Sequence, residues 1–261
     1  MKEYFDKLIK ENSQIQSFFK HFIYLSEVDS TNTFAKNLTE KEHGICIYSS
    51  NQRFGKGRNN RTWFSKRDDS LAMSMVLEYI DHKQSSLIPI ATSIAVNKTL
   101  DKWGIKSKIK WPNDILVNSR KISGILCELD YLPNNKNFII VGLGININNS
   151  EADFVSDNRI DYNISPTSMM MEIGEKIDIR NFIKDLLNQL VITYTDLKSR
   201  QFDALINYYK DHWHDMDKKI QVSLGNKLVE GIAKDIKKDG SLVLEIDSGI
   251  KEILAGEIIS S

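Results

Sequence analysis

Apolar positions recur along the chain with two periods, one typical of helices and one typical of strands. Helical spacing predicts one or two short helices in residues 1–20, a capped helix in 31–41, and longer helices in 85–105 and 182–197. Short apolar runs bounded by turn-forming residues predict strands, which span 22–25, 44–50, 70–80, 108–118, 121–132 and 137–148. Single helices interleaved with pairs of strands predict an α+β fold, in which a mixed β-sheet is backed by helices.

The pattern changes near Asp217. Residues 219–259 contain four short strand-like runs separated by turn signals that include Gly225, Gly240 and Gly249. Close-spaced strands with tight turns are typical of small β-barrels. We therefore expect two domains, a main domain at 1–216 and a small β-barrel domain at 217–261.

The amino-acid composition reduces the number of functional classes that fit the chain. Lys plus Arg and Asp plus Glu both total 35, so the chain as a whole has no electrostatic preference for nucleic acid or anionic membranes. The first residues lack the apolar core of a secretory signal, and no apolar run approaches the ~18 residues of a membrane span. Cys46 and Cys127 lie in apolar runs and are interpreted as reduced thiols. These features predict a cytoplasmic protein that does not act at a membrane.

A basic loop, defined here as Asn51–Arg67, gathers six cationic residues and no acidic one. Gly55 and Gly57 allow positive φ angles and bring backbone N–H groups close to an anion. Arg58 and Arg61 are three residues apart, so both could reach one phosphate chain. Two other interpretations stay open: a solvated basic loop, or a single-stranded nucleic-acid surface in which Trp63 and Phe64 stack on bases.

The segment 110–126 carries a second group of candidates. Asp114 follows Pro112 and Asn113 between two apolar runs, where it could hold a divalent metal or orient a nucleotide, or simply form a hairpin turn. Lys121 opens an apolar strand, where a partly desolvated ammonium would attract an anion strongly. A single lysine there could equally protect an edge strand from aggregation.

Three further motifs have both structural and functional interpretations. Asp29–Asn32 could cap a helix or hydrogen-bond a small polar ligand. Gly142–Asn146 has two glycines that permit close approach of a ligand. His212 and His214 suggest a metal site, but their place at the expected domain junction favours a structural or solvated role.

Taken in order, these motifs resemble those of biotin protein ligases. The resemblance rests on DSTN, on Gln52 with GKGRNNR and Trp63, and on KWPND, KISGIL and GLGIN, across about residues 22–148. The ending AGEI, residues 255–258, resembles the small C-terminal domain of that family. The resemblance implies a class II synthetase-like catalytic domain followed by an SH3-like barrel.

The implied activity joins biotin to AMP with MgATP, releases pyrophosphate, and passes biotin to a lysine of the biotin carboxyl carrier protein of acetyl-CoA carboxylase. In the family pattern, Lys121, Arg58 and Asp114 are the catalytic candidates, and Asp114 is also the metal candidate. Lys56 stands where the family usually has arginine, so the charge is kept but the bidentate fork is lost. The residues implied to bind biotin or nucleotide are Ser30, Thr31, Asn32, Gln52, Lys56, Gly57, Arg58, Arg61, Trp63, Lys110, Asn113, Asp114, Lys121, Gly124, Gly142, Gly144 and Asn146.

Other functions remain as alternatives. A lipoate ligase or octanoyl transferase shares the implied fold, although KWPND and the basic loop favour biotin. The non-enzymatic alternative is a single-stranded nucleic-acid binder. Only about 20 residues precede the first expected strand, too few for a three-helix DNA-binding module. We therefore expect a ligase that binds no DNA, as a monomer or a homodimer.

Overall fold

Helices and strands follow one another irregularly in this computed structural model, which describes residues 1–132, 136–155 and 164–260. The helices are α1 (Lys2–Glu11), α2 (Ser13–Phe18), α3 (Thr31–Lys36), α4 (His82–Ser86), α5 (Ile88–Lys102), α6 (Glu151–Val155), α7 (Met169–Ile173), α8 (Ile179–Lys198) and α9 (Phe202–Asp211). The strands are β1 (His21–Leu25), β2 (Ile45–Ser49), β3 (Gly55–Lys56), β4 (Thr62–Trp63), β5 (Ser70–Glu78), β6 (Lys108–Lys110), β7 (Asp114–Val117), β8 (Arg120–Tyr131), β9 (Asn137–Asn146), β10 (Lys219–Leu224), β11 (Lys227–Ile236), β12 (Leu242–Ile246), β13 (Gly249–Ile253) and β14 (Glu257–Ser260).

Two sheets organise the described residues. The larger has seven strands in the order β1-β2-β5-β9-β8-β7-β6, with β1 and β2 parallel and the other neighbouring pairs antiparallel. The smaller is antiparallel, in the order β13-β12-β11-β10-β14. The predicted mixed sheet with a small C-terminal β unit is therefore confirmed. Within the described parts of the chain, no helix has the length and apolar character to cross a membrane.

At strand β2 the larger sheet is buried on both of its faces. Cys46 and Tyr48 point into the main core, which includes α5 and α8. Ile45 and Ile47 point to a smaller cluster that includes Ala35 of α3. A strand buried on both sides reads as a continuous apolar run, which explains the pattern of residues 45–48. The long helices cover one face, and the short α3 covers the other face only in part.

Alternation along β9 leaves the second face without bulky side chains. Leu143 and Ile145 point into the main core, so Gly142 and Gly144 face the opposite side. The neighbouring strands continue this small-residue surface, because Ser74 pairs with Gly142, and Ala72 and Gly124 flank Gly144. The result is a glycine-lined floor against which side chains from other elements can pack close to the backbone.

Several predicted elements differ in extent from the observed ones. The single helix expected at 85–105 is split into α4 and α5 at Leu87, and Pro89 occupies the first turn of α5, where its missing N–H is tolerated. The strand expected at 108–118 is two strands, β6 and β7, joined through Trp111–Asn113 with a cis Trp111–Pro112 peptide bond. The run at 249–259 likewise forms two strands, β13 and β14, and α9 was not predicted.

The smaller sheet packs against the turn between β6 and β7. The Trp111 indole donates a hydrogen bond from Nε1 to the carbonyl oxygen of Gly240, at 3.0 Å. The segment that connects α9 to β10 pairs with β6. Ile109 N–H donates to His212 O, and His214 N–H donates to Ile109 O. These contacts bring β14 beside the partly covered face of the larger sheet.

Candidate active site

A cavity of ≈ 450 Å³ lies over the glycine-lined floor, between α3, the basic loop, the turn after β6 and β14. Every residue that the sequence singled out as a ligand-binding or catalytic candidate lines it, from Ser30 in α3's cap to Asn146 at the end of β9. The structure adds lining residues that were not among those implied to bind biotin or nucleotide: Asn60, Thr62, Phe64, Met73, Trp111, Pro112, Ile125, Leu126, Leu143, Phe154, Ile164, Pro166, Glu257, Ile258 and Ile259. Most of them lie in motifs that had already been singled out; Met73, Phe154, Ile164, Pro166 and Ile259 do not.

One end of the cavity, called the polar end, is formed by Ser30, Thr31, Asn32 and Gln52. The hydroxyl of Ser30 accepts a hydrogen bond from Thr33 N–H at 3.4 Å, so the predicted helix cap is confirmed. The backbone N–H of Thr31 donates to Gln52 Oε1 at 2.9 Å, which joins α3 to the basic loop. All four side chains are buried, so this end presents desolvated hydroxyl and amide groups.

Asn32 lies directly on the floor. A Cβ atom on Gly142 would come 2.4 Å from its Oδ1, so only glycine fits there. The amide is held by Ser74, whose hydroxyl donates to Oδ1 at 2.6 Å, and by Glu128, whose carboxylate accepts from Nδ2 at 2.8 Å. Neither Ser74 nor Glu128 was predicted. The one available signal was a serine in the middle of an otherwise apolar strand.

The basic loop obtains its shape from asparagines rather than from the glycines that were expected to take positive φ. Asn59 and Asn60 have φ angles of 53° and 58°, in the left-handed region that asparagine tolerates. Gly57 has φ −107°, so the expectation of a left-handed glycine is wrong there. Gly55 is required for space, because a Cβ atom would lie 2.5 Å from Trp63 O.

The two arginines of the basic loop have separate partners. Arg58 donates to Asn113 Oδ1 at 3.1 Å and to Gly256 O at 2.9 Å, which bridges the turn after β6 and the residue before β14. Arg61 forms an ion pair with Glu257. Both guanidinium groups line the cavity, and their reaching one phosphate chain stays a prediction.

Lys121 and Asp114 form an ion pair inside the cavity, with Nζ 2.7 Å from Oδ1. The ammonium also lies 5.6 Å from the centre of the Trp63 ring. Its strand, β8, lies between β7 and β9, so the edge-strand interpretation of Lys121 is wrong. Asp114 opens β7 opposite Lys110, so the hairpin interpretation is confirmed, and its role in holding a metal or a nucleotide stays a prediction.

Lys110 is the most deeply placed cation of the cavity, with 7% of its surface exposed. Burial lowers its pKa below the ordinary lysine value, and the nearby carboxylates of Asp215 and Asp114 offset part of that effect. Together with Arg58 and Lys121, it forms the cationic end of the cavity. Three cations beside the two carboxylates of Asp114 and Asp215 leave positive charge that a phosphate group can neutralise.

Trp63 covers the floor between the two ends. A Cβ atom on Gly144 would lie 2.3 Å from the indole ring, and one on Gly124 would lie 3.0 Å from it. The buried indole Nε1 has no hydrogen-bond partner among the described residues, and neither has Oδ1 of Asn146. Buried polar atoms of this kind are normally paired, so the cavity offers a ligand one donor and one acceptor. Trp111 also lines the cavity, and it belongs to the main hydrophobic core.

His212 and His214 lie in the segment that connects α9 to β10. His212 stacks on the ring of Tyr208, and Nδ1 of His214 lies 2.7 Å from the buried carboxylate of Asp215. The described residues contain no group of three or more His, Cys, Asp or Glu side chains that could hold a metal ion.

Comparison with known proteins identifies the family. Residues 24–146 match the model of the biotin/lipoate A/B protein ligase family, and residues 217–260 match that of the biotin protein ligase C terminal domain. The bifunctional ligase/repressor BirA of Bacillus subtilis is 29% identical over 92% of this chain and 74% of its own length. The biotin--[acetyl-CoA-carboxylase] ligase of Paracoccus denitrificans is 26% identical over 90% of this chain and 98% of its own. The structure of the biotin protein ligase from Aquifex aeolicus in complex with biotin and ATP is 27% identical, with a TM-score of 0.78 over 92% of this chain and 98% of that one. The chain belongs to the biotin protein ligase family.

Proposed function

We propose that this chain activates biotin with MgATP to biotinyl-5'-AMP, releases pyrophosphate, and transfers biotin to a lysine of a biotin carboxyl carrier protein. The observation that carries the proposal is a single cavity whose polar end and cationic end are joined by a glycine-lined floor. Biotin has the matching order of groups, a ureido ring, an apolar chain and a carboxylate. The family membership supports the same assignment.

The polar end suits the ureido ring. Its carbonyl needs donors and its N–H groups need acceptors, and Thr31, Asn32 and Gln52 are buried and already oriented by one another. A site built from such groups rejects analogues that leave them unpaired, which gives chemical selectivity.

The cationic end suits the chemistry of adenylation. A carboxylate oxygen of biotin attacks the α-phosphorus of ATP, the new C–O–P bond forms, and the bond to pyrophosphate breaks. Both reactants are anions, so Lys121, Lys110 and Arg58 stabilise the transition state by offsetting their repulsion. No covalent enzyme intermediate is required, and placing the two groups together lowers the barrier further.

The site fits a magnesium ion that is bound mainly by ATP. The described cavity residues offer Asp114 and no cage of several carboxylates, and Mg²⁺ is commonly held by one carboxylate together with substrate phosphates. Asp114 is the residue that would hold it, and the ion would neutralise phosphate charge.

The second step uses the same cavity. The amine of the acceptor lysine attacks the carbonyl carbon of the mixed anhydride, an amide bond forms, and AMP leaves with the electron pair of the broken C–O bond. The amine must lose a proton, and Asp114, a carboxylate that lines the cavity, would accept it. Because this reaction consumes ATP and modifies a biosynthetic enzyme, we place the protein in the cytoplasm.

ATP–pyrophosphate exchange tests the first step. Exchange should depend on biotin and Mg²⁺, whereas lipoate and octanoate should support little. Equal or faster exchange with lipoate would instead assign the lipoate reaction. Absence of exchange, together with salt-sensitive binding of an oligonucleotide, would support the nucleic-acid alternative. Transfer is then measured as biotin incorporated into an isolated biotin carboxyl carrier domain.

A further inference from the structure

Trp63 of β4 lies across two glycines of neighbouring strands. Gly124 of β8 and Gly144 of β9 are direct cross-strand partners, and neither has a side chain that would lift the indole from the sheet. A Cβ atom on Gly144 would overlap the nitrogen-bearing edge of the ring, and one on Gly124 would come 3.0 Å from Cζ3 at its far edge. The indole therefore spans both strands and fixes this part of the basic loop to the sheet.

Lys121 reaches the same glycine pair because of a bulge in β8. Two consecutive residues of β7, Ile115 and Leu116, pair with Ser123 and Lys121, so β8 carries one extra residue between its two partners. A bulge of this kind redirects a side chain relative to regular alternation. Lys121 and Gly124 are three positions apart and would lie on opposite faces of a regular strand, but here they are in contact.

The ammonium end of Lys121 lies beside the indole. The position that a Cβ atom of Gly124 would occupy is 3.2 Å from Lys121 Cε and 3.4 Å from Nζ. Nζ is also 5.6 Å from the centre of the Trp63 ring, within the ~6 Å over which an indole face attracts a cation. A side chain at position 124 would crowd both groups, so the bare Cα of Gly124 lets Lys121 and Trp63 meet.

The aromatic contact differs in kind from the ion pair that Lys121 also makes. Asp114 Oδ1 lies 2.7 Å from Nζ and offsets its charge. In the proposed reaction Asp114 holds Mg²⁺ or accepts a proton, and either task draws it away from the ammonium. An indole face attracts a cation without carrying a net charge, so Lys121 keeps its full charge for the reacting carboxylate and phosphate.

We propose that Trp63 is a positioning residue for Lys121: its ring, seated on Gly124 and Gly144, holds the ammonium against the reacting anions while Asp114 is engaged elsewhere. The inference rests on the proposed function, since it takes Lys121 as a cation of adenylation. It gives Trp63 a task beyond lining the cavity. It also makes the docking of the basic loop on the sheet a condition for placing Lys121.

Trp63→Leu and Trp63→Phe separate the aromatic face from the apolar volume. The measurements are kcat and the KM for ATP in biotin-dependent ATP–pyrophosphate exchange, at saturating biotin. Trp63→Leu removes the face and should lower kcat roughly tenfold, whereas Trp63→Phe keeps a ring and should stay within about threefold of wild type. The KM for ATP should be similar in both variants. Phe202→Leu is the matched control, because it removes the ring beneath Lys83, away from the cavity.

A double-mutant cycle with Lys121→Met shows whether the two side chains act on each other. This substitution keeps an unbranched apolar stem and removes the charge that Trp63 holds. Residual exchange in this background should be the same in Trp63→Phe and Trp63→Leu, because the pairwise interaction is already lost. Gly124→Ala is a second route that keeps the indole: its methyl group should displace Nζ and lower kcat several-fold, but not in the Lys121→Met background.

The outcomes separate the two proposals. Wild-type protein without biotin-dependent exchange overturns the proposed function. With normal wild-type exchange, equal losses of kcat in Trp63→Phe and Trp63→Leu overturn the role of the aromatic face, and so does a difference confined to the KM for ATP. A difference in kcat that persists undiminished with Lys121→Met shows that Trp63 acts through packing or substrate contact, and overturns the pairing. If the thermal midpoint shows that Trp63→Leu does not fold, Gly124→Ala decides, and an unchanged kcat in that variant overturns the proposal.

Discussion

Arg61 of the basic loop forms an ion pair with Glu257 of β14, across 196 residues of the chain. Asn59 donates to the other oxygen of the same carboxylate, at 2.5 Å. One residue of the smaller sheet thus orders two residues of the basic loop. The small C-terminal sheet is therefore part of the cavity and does not lie apart from it.

Glu257→Gln should loosen the basic loop in the absence of substrates. Trypsin cleaves after lysine and arginine, so the loop should be cut several times faster in the variant, because locally unfolded segments are the ones proteases cut. Adding biotin and ATP should restore protection, since phosphate replaces the lost carboxylate as a partner. Glu252→Gln is the matched control, an exposed carboxylate of the same sheet paired with Lys237. Equal cleavage rates in both variants would exclude the ordering role.

Lys121→Ala should slow adenylate formation far more than it affects folding. Removing one cation from a reaction between two anions should reduce the exchange rate about 10²-fold, on the scale of a lost oxyanion donor. The thermal midpoint should change little, because Lys121 and Asp114 are only partly buried. Lys219→Ala, in the exposed pair with Glu230, serves as control. An unaffected exchange rate would remove Lys121 from the chemistry.

Arg58→Gly should form the adenylate but retain it poorly. The side chain joins the basic loop to Asn113 and Gly256, so its loss opens the cavity beside the phosphate. Released adenylate would then acylate exposed lysines of unrelated proteins. Biotin incorporation into albumin should increase over wild type, whereas Arg53→Gly, an exposed arginine paired with Glu27, should not increase it. A variant that makes adenylate without faster labelling would contradict a retaining role for the loop.

Gly142→Ala should weaken biotin binding through Asn32. The new methyl group would overlap Oδ1, which must move and break its bond with Ser74. The KM for biotin should rise about tenfold. Gly57→Ala, whose methyl group would meet no atom closer than 3.5 Å, shows whether an added methyl group by itself lowers the thermal midpoint. Unchanged biotin affinity in Gly142→Ala would mean that the floor can move.

Lys110→Met should raise the thermal midpoint and at the same time weaken ATP binding. Burial lowers the folded pKa of Lys110, so the unfolded chain holds this proton more tightly and the free energy of unfolding rises with pH between the two pKa values. At neutral pH the variant should have a higher thermal midpoint than wild type, and the difference should narrow in alkaline solution. Its KM for ATP should rise tenfold or more, because a charged contact is lost. A lower midpoint at neutral pH would show that Lys110 is stabilised, not strained, by its surroundings.

Local sequence patterns predicted most of the fold. Strands β10 and β11 are among the strand-like runs predicted within residues 219–259, because alternating residues and glycine turns are local signals. The division of 108–118 into β6 and β7 was not predicted, since it depends on the packing of Trp111 against Gly240. Helix α9 was missed although Phe202, Leu205, Ile206 and Tyr209 have helical spacing, so its signal was present in the sequence.

The candidate residues of the site came from motifs, and their arrangement came from the structure. The order of the motifs singled out residues such as Lys121, whose ion-pair partner Asp114 lies seven positions away in the sequence. Glu128, Ser74 and Glu257 escaped notice as individuals, because each acts through a contact with a residue distant in sequence. The spacing of residues along a single sequence does not reveal contacts between residues that are distant in that sequence.

The long separation between Arg61 and Glu257 also has a consequence during protein synthesis. At about 5–20 residues per second, roughly 10–40 s pass between the appearance of the basic loop and that of β14. In the later part of this interval, after Asn146 has been added, the nascent chain contains the cationic residues and the glycine-lined floor, but neither Gly256 nor Glu257 to fix the loop. The cavity is therefore completed only at the end of translation, and a ribosome-bound chain cannot yet confine a reactive acyl phosphate.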